Sequence, residues 1–186
     1  MKRVMAWMAT AATLTFTFTL PVHGGQENPL LDELFAALKS APSKQVAAPL
    51  EARIWALWTD SGADDIDRLM AHGITAMGVG DFATANAAFT AIVEKAPGFA
   101  EGWNKRATVY YLMGAFDRST SDVDKTLALE PRHFGALSGL GMIRLQQDDE
   151  TGALEAFERA LAIHPNIAGA TSHIRALREK LKGRAI

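Results

Sequence analysis

The chain repeats itself every 34 residues, and no other feature constrains its fold as much. Counting a unit from Ile66, position 4 holds Leu69, Trp103 and Leu137, and position 8 holds Gly73, Ala107 and Gly141. Position 20 holds Ala85, Ser119 and Ala153, position 24 holds Phe89, Val123 and Phe157, and position 32 holds Pro97, Pro131 and Pro165. The units 66–99, 100–133 and 134–167 follow one another without insertion or deletion. Each has two runs of helical period around a short turn, Gly114 to Phe116 in the middle unit. Each also ends at a proline, which lacks the N–H that would continue a helix. One such unit cannot bury its own apolar face, so units of this length stack.

Trp103, Ala107 and Tyr110, then Ser119, Val123 and Pro131, occupy slots that resemble the W-x2-L-G-x2-Y, A-x3-F and P positions of the tetratricopeptide repeat. The resemblance covers residues 66–167 and implies an all-α fold, a right-handed α-solenoid of paired helices A and B. Helix A is expected near 66–79, 100–113 and 134–147, and helix B near 82–95, 116–129 and 150–163. Packing gives the slots their meaning. Where A and B approach most closely, positions 8 and 20 admit only Gly, Ala or Ser, and the bulky residues at 4 and 24 fill the space beside them. Composition agrees, with 48% hydrophobic residues and no alternating run that suggests a strand.

Three segments flank the repeats. In 1–24, Lys2 and Arg3 precede an apolar run from Val4 to Leu20, then Pro21 and Val22-His23-Gly24. This reads as a secretory signal peptide cleaved after Gly24. Seventeen residues with five threonines are short for a stable membrane span, which needs ~20 mostly apolar residues. The expected location is therefore the periplasm or outside the cell. In 25–65 we expect a helix pair, with one helix over Pro29–Lys39 and a second starting around Pro49. The pair could be a degenerate repeat, and the expectation is that Trp55 and Trp58 cover the open end of the stack. Ser61 to Asp65 should cap the first helix of the repeats. In 168–186, a helix with Arg175, Arg178, Lys180 and Lys182 on its surface should cap the other end.

Chemistry finds little support. With no cysteine, thiol catalysis, thiolate metal sites and disulfides are excluded together. Beyond His23, the histidines His72, His133, His164 and His173 lack the spacing of a metal site, and His72 is expected to be partly buried. Gly135, Gly139 and Gly141 look like a phosphate loop but follow no strand and lack Lys-Ser/Thr. No catalytic residue, metal or cofactor is assigned, and the chain reads as no enzyme. Of 19 basic and 21 acidic residues, loss of Lys2 and Arg3 leaves 17 against 21, a charge of −4, which argues against nucleic acid. Arg106 and Arg144 stand where the repeat pattern has Leu and Tyr. An arginine between helices needs a partner, and Asp122 is the first candidate for Arg106.

The resemblance implies a partner-binding concave face on helix A. Glu101, Asn104, Lys105, Thr108, Tyr111, Gly135, Ser138, Gly139 and Met142 are the candidate residues. The partner would be a protein or peptide of unknown identity. Gly135 and Gly139 lie on one helical stripe, and each costs ~1 kcal/mol against Ala, so a close neighbour is expected there. That neighbour is either helix A of the second repeat or a ligand backbone. The family includes co-chaperones that clamp a C-terminal carboxylate with Lys, Asn and Arg. The matching positions here are Met70, Ile74, Lys105, Gly135 and Gly139, a poor match. Three functions follow: an envelope adaptor, a self-assembling structural module (an oligomer) or subunit of a larger envelope complex, and a cryptic enzyme.

Overall fold

The structure, a computed structural model, describes residues 25–184. The signal-like segment 1–24 lies outside the described residues. Among the described residues, nine α-helices follow a short 3-10 turn at Gly25–Glu27. They are α1 (Leu30–Ser40), α2 (Lys44–Thr59), α3 (Asp64–Gly78), α4 (Phe82–Lys95), α5 (Ala100–Leu112), α6 (Phe116–Leu129), α7 (Phe134–Gln146), α8 (Glu150–Ile163) and α9 (Ala170–Arg184). No strand occurs among the described residues.

Helices α3 to α8 form three antiparallel pairs stacked in order. A Cβ on Gly73 would stand 2.5 Å from Phe89, and one on Gly141 would stand 2.7 Å from Phe157. Small residues at position 8 therefore receive the ring at position 24, as the slots require. In the middle repeat Ala107 and Val123 take these places, and Ser119 Oγ donates to Ala107 O at 2.7 Å. The Trp103 Nε1–H bonds Pro97 O at 2.9 Å, which ties position 4 of one repeat to the closing proline of the one before. Position 15 adopts a left-handed backbone in each repeat, with φ of 78° at Gly80, 73° at Gly114 and 57° at Asp148.

Several boundaries differ from expectation. Helix α2 starts at Lys44, not Pro49, because Ser43 Oγ accepts from Val46 N–H and caps it. Pro49 then lies inside the helix, where it is exposed and removes one bond, that to Gln45 O. Ala63 is the N-cap of α3 and offers no side-chain bond. Instead Asp67 Oδ1 reaches back to Ser61, accepting from its N–H at 2.9 Å and its Oγ–H at 2.6 Å. Helix α9 packs Ile174 and Leu177 on Ala153 and Phe157. Its basic face is exposed, with Arg178 and Lys180 also ion-paired to Glu158 and Glu150 of α8.

The largest departure concerns α1 and α2. They do not stack as a further repeat, and Trp55 and Trp58 do not cover an open end. The pair lies along the row of turns that join one repeat to the next. Gln26 Nε2 donates to Gly98 O and its Oε1 accepts from Ala100 N–H. Arg132 bridges Glu130 and Asp32, with its guanidinium 4.4 Å from the Phe35 ring centroid. Asn166 Nδ2 donates to Ala41 O, and His164 Nε2 stands 3.2 Å from Glu51. Beneath them Leu31, Phe35, Leu38, Ile54 and Trp58 form one core with Phe134, joined by Ile163 and Ile167. Burial of this size fixes the pair against repeats 2 and 3.

Candidate functional site

Helices α5 and α7 carry all nine candidate residues, which meet a covered end and an open cavity, with Gly135 bordering both and Ser138 at neither. Glu101, Lys105 and Gly135 lie under α2. Glu101 is buried, and its carboxylate meets His133 Nε2 at 2.9 Å, Asn104 Nδ2 at 3.0 Å and Lys105 Nζ at 2.9 Å. His133 Nδ1 accepts from Ala136 N–H at 3.0 Å and caps α7, so the ring's hydrogen sits on Nε2 and is donated to Glu101. The same ring stacks on Trp58, 4.0 Å between centroids and 9° between planes. Burial pushes the Glu101 carboxyl up, but the His133 bond and the Lys105 ammonium outweigh this and hold it below its ordinary 4.5.

Trp55 completes this end. Lys105 Nζ lies 5.1 Å over its ring, and its Cη2 stands 2.5 Å from where a Cβ on Gly135 would be. The close neighbour expected at Gly135 is thus neither helix A of the second repeat nor a ligand. It is the chain's own α2.

The other end is open. Asn104, Thr108, Tyr111, Gly135, Gly139 and Met142 line a cavity of about 120 Å³ between α5 and α7. Its floor comes from Ala107, Ser119 and Val123, which slot reasoning assigned only to the core, and from Ile143. At Gly139 a Cβ would meet nothing within 4 Å. Ser138 is half-buried and does not line the cavity, and its Oγ has no hydrogen-bond partner. Beyond the cavity, Ile74 and Leu112 are exposed, whereas Met70 is buried and offers no groove surface.

The remaining residues with a sequence-level expectation fall out as follows. Arg106 meets Asp122 through two bonds, Nε to Oδ2 at 2.7 Å and Nη2 to Oδ1 at 2.9 Å. That pairing is the one expected, and it holds the guanidinium above its usual range. Arg144 lies 3.4 Å from Asp149 at the turn before α8. His72 is exposed rather than partly buried, since α3 turns that position outward. His133 and His164 are fully buried beneath the N-terminal pair. Among the described residues no three His, Cys, Asp or Glu side chains gather as a metal site would require, and no helix is long and apolar enough to cross a membrane.

A family model described as tetratricopeptide repeat matches residues 70–123 and 105–166, more than half of the chain. The chain belongs to the tetratricopeptide-repeat family. A TPR repeat-containing protein of Rhizobium etli is 36% identical over 153 residues, covering 82% of this repeat protein and 75% of the relative. The heat-shock protein cognate co-chaperone sgt12 of Aspergillus fumigatus is 27% identical over 150 residues. That match covers 77% of this chain and 43% of the co-chaperone, so the chain spans less than half of that relative. Among solved structures, the Sgt2 TPR domain of Aspergillus fumigatus superposes with a TM-score of 0.62 at 22% identity, over 66% of this chain and 83% of that one. The first TPR of Spaghetti (RPAP3), bound to the HSP90 peptide SRMEEVD, gives 0.61 at 24% identity, over 63% and 93%. At these identities the likeness concerns the fold.

Proposed function

We propose that this protein is a non-catalytic adaptor of the bacterial cell envelope that holds a protein or peptide partner on its concave helix-A face. The observation that carries the reading is the opening over Gly139. Six of the nine candidate residues line it; Trp55 of the N-terminal pair covers Gly135 at one edge and the Gly139 end stays open. The Spaghetti domain and the yeast Sti1 TPR2B domain, in complex with peptides of HSP90 and Hsp70, support a peptide-binding use of the fold. The partner is not captured by a C-terminal carboxylate. Of the five matching positions only Lys105 is cationic, and Glu101 already neutralises it. Export belongs to the proposal through Lys2, Arg3 and the Val4–Leu20 run.

A photo-crosslinking side chain at Gly139 of the full chain, expressed in its own cell, tests the adaptor role. One defined protein should be captured there and not from the exposed Arg159 on α8. Identical products from both positions, or none, sink the reading. For export, sequencing of the protein from the envelope fraction should begin at or near Gly25. Residues 1–24 found intact on membrane-bound protein reverse that part.

A further inference from the structure

We propose that the outer face of the N-terminal helix pair seats a second copy of this chain, two α1–α2 pairs packing as a four-helix bundle about a two-fold axis. The inference is independent of the concave face and of what an adaptor holds there.

One side of the pair faces the repeats, where Leu31, Phe35, Leu38, Ile54 and Trp58 share a core with Phe134. The other side has no such cover. Leu30, Leu34 and Ala37 of α1 and Leu50 of α2 line a groove of about 270 Å³ between the two helices. Leu30 is 46% exposed, and Val46, one turn before Leu50, is 48% exposed. A helix whose outer face meets only water carries charge there. Helix α9 does so, with Arg175, Arg178, Lys180 and Lys182 all exposed. Helix α2 does not. From Val46 to Ala56 its exposed residues are Val46, Ala48, Pro49, Ala52, Arg53 and Ala56, one charge among six. A contiguous apolar face of this kind marks an interaction surface.

Charge chooses the occupant. Glu33 of α1 and Arg53 of α2 line the same groove, one on each helix, and neither forms an ion pair or side-chain hydrogen bond among the described residues. A two-fold interface sets a patch against itself, so it must be self-complementary. An axis through the groove lays α1 of one copy over α2 of the other. Glu33 of each copy then meets the other copy's Arg53, and the two ion pairs flank an apolar centre. An anionic lipid surface or an acidic peptide would satisfy Arg53 but repel Glu33. Helices of 11 and 16 residues give a face roughly 16–24 Å long. That places the contact at the low end of specific interfaces, and micromolar association is expected.

The test is sedimentation equilibrium of the chain as recovered from its own cell, across the micromolar range. The parent should pass from one chain to two, with no larger species. Arg53→Glu sets Glu33 against a second carboxylate, and Glu33→Arg brings two cations together. Each should weaken association by about tenfold or more, while far-UV circular dichroism and the melting temperature of the dilute protein stay at parental values. Mixing the two variants restores both ion pairs, so an equimolar mixture should form a heterodimer at near-parental strength. A parent that stays monomeric overturns the proposal, as do single variants that associate like the parent. A mixture that remains monomeric, or a mass that climbs past two chains, overturns it too. A monomeric parent that binds phosphatidylglycerol vesicles assigns the patch to a membrane surface instead. None of these outcomes bears on capture at Gly139.

Discussion

Trp55 occupies the place of the side chain that Gly135 lacks, with its Cη2 2.5 Å from that Cβ position. An N-terminal helix is thereby keyed into the concave face of a repeat stack about eighty residues further along the chain. The same contact explains why two glycines four residues apart behave differently.

Gly135→Ala should push α2 away from α7, since the indole that meets the new Cβ must shift against Lys105, Trp58 and Phe134. A loss of ~1–3 kcal/mol is expected from overpacking. Gly139→Ala meets open space and should gain up to ~1 kcal/mol through helix propensity. Thermal melts of the two variants side by side check this; opposite signs are required.

Gly141→Leu should cost ~1–3 kcal/mol or more by driving a side chain into Phe157. Adding Phe157→Ala removes the obstacle, so the double variant should be more stable than the sum of the single losses implies. Additive losses in a denaturant double-mutant cycle would show that the two positions do not meet.

The Arg106–Asp122 pair is an asymmetric liability. Asp122 is only 3% exposed, and Arg106→Leu leaves its carboxylate buried without a counter-charge. A loss of ~3–5 kcal/mol is expected. Arg106→Leu combined with Asp122→Leu should recover much of it, because an apolar pair has no charge to desolvate. Chemical denaturation of the three variants decides, and a double variant no better than the single rejects the account.

Glu101 should make the fold acid-labile. Its carboxyl is held below 4.5 in the folded chain, so as pH falls the unfolded chain binds the proton first. The stabilisation is therefore complete above about pH 4.5 and disappears as pH drops through the lower folded value. Glu101→Gln should be less stable at neutral pH and show a flatter decline in the acid range. Parallel slopes for variant and parent, measured by urea titration below pH 5 and above, would contradict this.

What the sequence by itself determined is the repeat. Gly73, Gly141, Phe89, Phe157 and the three prolines act within one unit or on the next, where contacts recur at a fixed spacing and local packing rules suffice. The helix pairs of α3 to α8 followed from them, as did the Arg106–Asp122 pair, whose partners sit on the two helices of one hairpin. The position of α1 and α2 was decided only in three dimensions. Trp55 and Gly135, Trp58 and His133, Glu51 and His164 are separated by 80, 75 and 113 positions and share no period. Local propensity made a helix pair there, yet it did not say which face the tryptophans would cover. That depended on the apolar row exposed by Phe134, Ile163 and Ile167, a surface that exists only once the repeats have stacked. The same docking covered Glu101, Lys105 and Gly135 and left the cavity at Gly139 open, because the area buried by an N-terminal helix depends on tertiary contact and not on the slot each residue holds.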